Sequence, residues 1–130
     1  MKIFGIGTDI VNINRVKKSL KRGGNNFKNK IFSKNEILYC EKKINPSSFY
    51  AKRFAAKEAF VKALGTGFRN NINYTDIEVI NNLYGKPFLI INKKVISKMK
   101  TVFKIKKFNI FLSISDEKKY SIASVLISKK

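Results

Sequence analysis

Apolar residues change their spacing several times along this chain, and each change marks an element. Ile3 to Val11 (IFGIGTDIV) is a nearly continuous apolar run of strand type. Ile13, Val16 and Leu20 then recur at helical spacing, which predicts a helix over Asn12–Arg22 ended by Gly23-Gly24. Ser33-Lys-Asn-Glu36 reads as a capping box opening a second helix that runs to about Lys43. Pro46-Ser47-Ser48 reads as a turn whose serine caps the next helix. That helix, Lys52–Gly67, is rich in Ala, Leu, Lys, Arg and Glu and stops at Gly65 and Gly67.

Beyond it the period becomes two. Asp76–Ile80 and Phe88–Ile91 are predicted strands joined across the turn residues of Asn81–Pro87. Val95, Ile96, Met99, Val102 and Phe103 give a helix over Lys93–Lys104. Phe108–Ser115 alternates, and Tyr120–Ile127 follows across the turn Asp116–Lys119. Helices with antiparallel hairpins and no regular βαβ alternation predict an α+β fold, an antiparallel sheet packed with a long central helix and shorter ones. Neither a repeat nor a linker divides residues 1–130, so one domain is expected.

The central helix carries the chemistry. At about 100° per residue its apolar arc is Ala56, Ala59, Phe60, Ala63 and Leu64. Arg53 and Lys57 share one stripe and Glu58 and Lys62 another, with Phe54 and Val61 between them. Charges threaded among large apolar groups are costly unless something neutralises them. A bland reading pairs Glu58 with Lys62 at i,i+4 and leaves Arg53 and Lys57 solvated. A sharper one is a site for a polyphosphate and a metal. Asp9 is the anomaly of the first strand, either a helix cap or a ligand for a hard cation. Gly5 and Gly7 resemble the start of a dinucleotide fingerprint, but its third glycine is missing.

Composition narrows the classes. Cys40 is the only cysteine and there is no histidine, which excludes an intrachain disulfide and the usual Cys–His, Ser–His–Asp and zinc-hydrolase sites. No apolar run reaches transmembrane length, and Asp9 interrupts the apolar N-terminus too early for a signal peptide, so the expectation is a cytoplasmic protein without a membrane partner. A net charge of +20 raises the rival reading of a basic nucleic-acid-binding module. The lysines are dispersed, however, they accompany abundant Asn, Ile and Phe, and that rival leaves Asp9 and Glu58 unexplained. No nucleic-acid partner is expected. Arg15, Lys18 and Arg22 line up opposite the buried stripe of the first helix, either as a solvated face or as a docking row for an acidic partner.

Five stretches together resemble a known family. They are GIGTDIV with Asp9, followed after Asn12-Ile13-Asn14 by Arg15; FSKNE at Phe32–Glu36; RFAAKEAFVKALGTG at Arg53–Gly67; GKP at Gly85–Pro87; and SISDEKKY at Ser113–Tyr120. In this order, spanning nearly the whole chain, they resemble the holo-acyl-carrier-protein synthases, the short bacterial branch of the 4'-phosphopantetheinyl transferases. The resemblance implies transfer of phosphopantetheine from coenzyme A to a serine of apo acyl carrier protein, with Mg²⁺, in support of fatty acid biosynthesis. It implies Asp9 and Glu58 as the metal-binding carboxylates and Lys62 beside them in catalysis. It further implies Arg53, Lys57 and Lys62 on the phosphates of coenzyme A, and Gly65, Thr66 and Gly67 against the nucleotide. Arg15, Lys18 and Arg22 become the acyl-carrier-protein row, and the expected assembly is a homotrimer with active sites at subunit interfaces. One departure stands out: many members carry histidine where this chain has Asp116. The base that activates the carrier serine is therefore open among Glu58, a water on the metal and Asp116, the first two ranking ahead.

Overall fold

The computed structural model describes residues 1–130. Strand β1 (Lys2–Asn12) leads into helix α1 (Ile13–Ile31), α2 (Lys34–Glu41) and the central α3 (Pro46–Leu64). A single 3₁₀ turn at Tyr74–Asp76 precedes the hairpin β2 (Ile77–Asn81) and β3 (Pro87–Ile91). Helix α4 (Lys93–Thr101) and strands β4 (Phe108–Asp116) and β5 (Tyr120–Lys129) complete the chain. The expected α+β class and long central helix hold, but α1 is not shorter: it matches α3 at 19 residues.

The end of α1, its cap and the start of α3 differ from the sequence reading. Gly24 does interrupt α1, at φ 53° and ψ −135°, but the chain re-enters helix beyond this kink and runs to Ile31. Its cap is Asn12, whose side chain accepts from the Arg15 amide at 3.1 Å, so Asp9 is not a cap. Helix α3 starts at Pro46, with no serine cap; proline suits the first helical position, where its missing N–H costs nothing. The stop at Gly65 is as expected, with φ 89°.

Strands β1, β5 and β4 form one antiparallel sheet in that order, and β2 and β3 form a separate two-stranded sheet. Helix α3 lies across the inner face of the larger sheet because Gly5 and Gly7 let backbone meet backbone. A Cβ at Gly5 would strike the Ala63 carbonyl oxygen, and one at Gly7 would strike that of Ala59. These glycines serve strand–helix packing, not a dinucleotide loop. The principal core joins α3 to both sheets and α4 through residues such as Phe60, Val79, Met99 and Val125. A second cluster, including Val16, Phe32, Cys40 and Tyr50, joins α1 and α2 to the first half of α3. Burial pushes the Cys40 thiol up to about 12, which leaves it unreactive. The outer face of the larger sheet stays apolar and open, with Ile6, Ile10, Phe111 and Ile122 between 40% and 62% exposed.

Candidate active site

The close approach of β1 to α3 sets Asp9 beside Lys62. The Lys62 ammonium donates to Asp9 Oδ1 at 2.9 Å and to the Thr8 carbonyl at 3.1 Å. Glu58 sits one helical turn before Lys62 and shares its face of α3. The two are not paired with each other; Glu58 Oε1 instead accepts from the Tyr74 hydroxyl at 2.6 Å. Asp9 and Glu58 open onto one cleft of about 290 Å³, walled also by Asn12, Arg15, Phe27 and Phe54. The remaining oxygen of each carboxylate has no protein donor.

Tyr74 was not legible as a site residue. It lies in the short 3₁₀ turn, sixteen residues from Glu58, where no periodicity gives it a face. Its ring is stacked between Phe68, 3.7 Å away centroid to centroid, and Phe54 at 5.6 Å. Burial, together with the bond to Glu58, pushes the phenol well above its ordinary value, so it remains a donor.

Two of the expected phosphate-binding cations lie elsewhere. Lys57 is wholly buried; its ammonium donates to Glu36 Oε1 at 2.6 Å and to the Ile31 carbonyl at 2.7 Å. Glu36 also accepts from the amides of Ser33 and Val79. The charge that sequence reasoning offered to a phosphate is thus met by a protein carboxylate, and Lys57 ties α3 to α2 and β2. Desolvation holds its pKa below the ordinary lysine value, with Glu36 opposing that shift.

Arg53 is five residues from Glu58, about 140° around the helix, and opens on a second cleft. Its guanidinium lies over the Tyr39 ring at 4.2 Å and donates from Nη2 to Asn81 Oδ1 at 2.7 Å. The side chain is 3% exposed, and its Nε–H has no partner. Lys52 and Asp116 face the same cleft, 3.5 Å apart. Asp116 therefore stands away from the Asp9–Glu58 cleft.

Gly65, Thr66 and Gly67 form the stop of α3, their three amides converging on the Val61 carbonyl. A Cβ at either glycine would meet nothing within 4 Å. Positive φ (89° and 61°), rather than crowding within the chain, explains these glycines. Arg15, Lys18 and Arg22 are all exposed on α1, with Arg15 at the rim of the Asp9–Glu58 cleft.

Known proteins match this chain along nearly the whole of its length. The chain is 57% identical to a holo-[acyl-carrier-protein] synthase of Pelagibacter ubique over 130 residues, all of both chains. It is 47% identical to one of Wolbachia pipientis, covering 96% of this chain and 97% of that one. The fold superposes on the crystal structure of holo-[acyl-carrier-protein] synthase from Neisseria meningitidis with a TM-score of 0.85 at 37% identity, covering 98% and 99% of the two chains. It also matches the Bacillus anthracis enzyme solved in complex with CoA (3',5'-ADP), at a TM-score of 0.81 and 34% identity over the whole of both chains. The profile of the 4'-phosphopantetheinyl transferase superfamily matches residues 5–124, and the chain belongs to that family.

Proposed function

We infer that this protein transfers 4'-phosphopantetheine from coenzyme A to a serine of apo acyl carrier protein, releasing adenosine 3',5'-bisphosphate. The observation that carries this reading is the meeting of Asp9 and Glu58 on one open cleft, with Lys62 bonded to Asp9, drawn from a strand and a helix far apart in sequence. Two carboxylates, each with a free oxygen, suit Mg²⁺, which takes few protein oxygens and completes its shell with water and phosphate. Bound there, Mg²⁺ would polarise the pyrophosphate of coenzyme A and offset charge on the leaving phosphate.

The chain's own groups divide the remaining work. Lys62, half exposed and braced by Asp9 and Thr8, offers its ammonium to the pyrophosphate. Glu58, steadied by Tyr74 on one oxygen, has two lone pairs on the other, one for Mg²⁺ and one to take the proton of the carrier serine. The serine oxygen then bonds to the phosphorus bearing pantetheine, and the bond to the nucleotide's phosphate breaks. Asp116 is the weaker base, because it faces the other cleft. The pyrophosphate must lie by Asp9 and Glu58, so the Arg53 cleft is left for the 3'-phosphate of coenzyme A. A homotrimer would join one chain's Arg53 cleft to its neighbour's Asp9 cleft, with the open apolar sheet face as the contact. Arg15, Lys18 and Arg22 would meet the acidic carrier. The setting is cytoplasmic fatty acid biosynthesis; no helix is long and apolar enough to cross a membrane.

Chromatographic detection of adenosine 3',5'-bisphosphate tests this. It should accumulate only when coenzyme A, Mg²⁺ and apo carrier protein are all present. Release that ignores the carrier would mean hydrolysis, not transfer.

A further inference from the structure

The Arg53 cleft contains an acid among its cations. Asp116, at the end of β4, lies 3.5 Å from the Lys52 ammonium and accepts from Ser48 Oγ at 3.4 Å. Ser48 and Lys52 are one turn apart on α3, so this helix presents both to the same carboxylate. Arg53, next along, has no carboxylate partner; its only side-chain acceptor is the neutral Asn81 amide, and its Nε–H points at nothing. Lys52 is further held over the Phe49 ring at 4.4 Å. A buried, incompletely satisfied guanidinium beside a steered ammonium is a site built for an anion. The acid beside them works against that anion.

We propose that Asp116 is a resident counter-anion, a specificity-determining residue that competes with the incoming phosphate for Lys52 and thereby lowers the selectivity of the cleft for a 3'-phosphorylated nucleotide. This rests on the assignment of that cleft to the 3'-phosphate of coenzyme A. With the cleft empty, Asp116 occupies Lys52. When a phosphate enters, Lys52 must turn from one carboxylate to a more highly charged group, and the carboxylate then stands close to that phosphate. The Lys52–Asp116 pair is long and partly solvated, with side chains 24% and 36% exposed, so breaking it costs little. The repulsion that follows is the larger effect, and it acts only on ligands that place a phosphate there.

Calorimetric titration of the full chain with adenosine 3',5'-bisphosphate and with adenosine 5'-monophosphate separates the possibilities. For Asp116→Asn, the bisphosphate should bind about three- to tenfold more tightly while the monophosphate changes by less than about twofold. Lys52→Met should weaken only the bisphosphate, and adding Asp116→Asn to it should still tighten the bisphosphate, since the repulsion does not depend on Lys52. Bisphosphate binding that is unchanged or weaker in Asp116→Asn overturns the proposal, since Asp116 would then be neutral or supportive. Equal affinity for the two nucleotides in both the parent chain and Asp116→Asn would remove the cleft assignment itself, and the proposal with it. A transfer assay keeps the outcomes distinct: selective loss of turnover in Asp116→Asn, with nucleotide affinity unchanged, would make Asp116 a base instead.

Discussion

Lys57 Nζ lies 2.6 Å from Glu36 Oε1 with both side chains wholly out of solvent, and Lys57 is the residue immediately before Glu58. The pair is one joint of a larger frame: Glu36 closes the capping box of α2 and also accepts from the Val79 amide. Ser33, at the head of that box, donates to Glu78 on β2. The frame fixes the rotation of α3, and so the direction in which Glu58 points.

Breaking either half of this pair should therefore be severe. Lys57→Met or Glu36→Gln should each destabilise by about 3–5 kcal/mol, because each leaves a buried group without its partner. The double change Lys57→Met/Glu36→Gln should recover part of that loss in urea denaturation, because glutamine keeps an acceptor for the amides of Ser33 and Val79. Single variants with parental midpoints would contradict the structural role given to Lys57.

Tyr74 makes a separate prediction. Tyr74→Phe keeps the stack between Phe54 and Phe68 and removes only the donor to Glu58. Transfer should fall about tenfold in kcat, corresponding to ~1.4 kcal/mol of lost positioning, with KM for coenzyme A little changed. Unaltered kcat would show that Glu58 needs no support from the phenol.

Much of this architecture was visible in the chain itself. The three- and four-residue spacing in α1 and α4 and the alternation in β4 each follow from one face being buried. The capping box at Ser33 and the stop at Gly65 are local chemistry, and local chemistry is readable. What escaped depends on distant partners. Lys57 looked like a phosphate ligand because its neutralising acid, Glu36, is twenty-one residues away. Arg53 and Glu58 looked like one site until their angular separation placed them on two clefts. The glycines of β1 matched only the start of a dinucleotide fingerprint, and their need arises from the carbonyls of α3, which no local pattern announces.

The basic row on α1 should steer the carrier. Charges on the exposed Lys18 and Arg22 contribute little individually, but a row accelerates encounter and is screened by salt. Lys18→Glu/Arg22→Glu should raise KM for carrier protein about tenfold at low salt, leave KM for coenzyme A nearly unchanged, and flatten the salt dependence. Parental efficiency toward the carrier would make the row an ordinary solvated face.

Assembly is open to a direct test. Phe111 is 52% exposed on the outer sheet face, so Phe111→Glu should leave the folded chain intact while disrupting association. Light scattering in about 0.15 M salt should find a trimer for the parent and a monomer for the variant, with transfer lost in the latter. A fully active monomer would show that one chain holds a complete site.

The most direct test is intact-mass spectrometry of the carrier protein after incubation with coenzyme A, Mg²⁺ and the purified chain. The parent should convert apo carrier to a species heavier by one phosphopantetheine, and a chelator should stop the conversion until Mg²⁺ is restored. Asp9→Ala should abolish it at a cost of at most about 1 kcal/mol in stability, since the Lys62 it leaves unpaired is half exposed. Glu58→Gln should abolish it too while keeping an acceptor for Tyr74. Near-parental conversion by either variant at saturating Mg²⁺, or no mass gain with the parent, would contradict the assignment of this cleft as the centre of transfer.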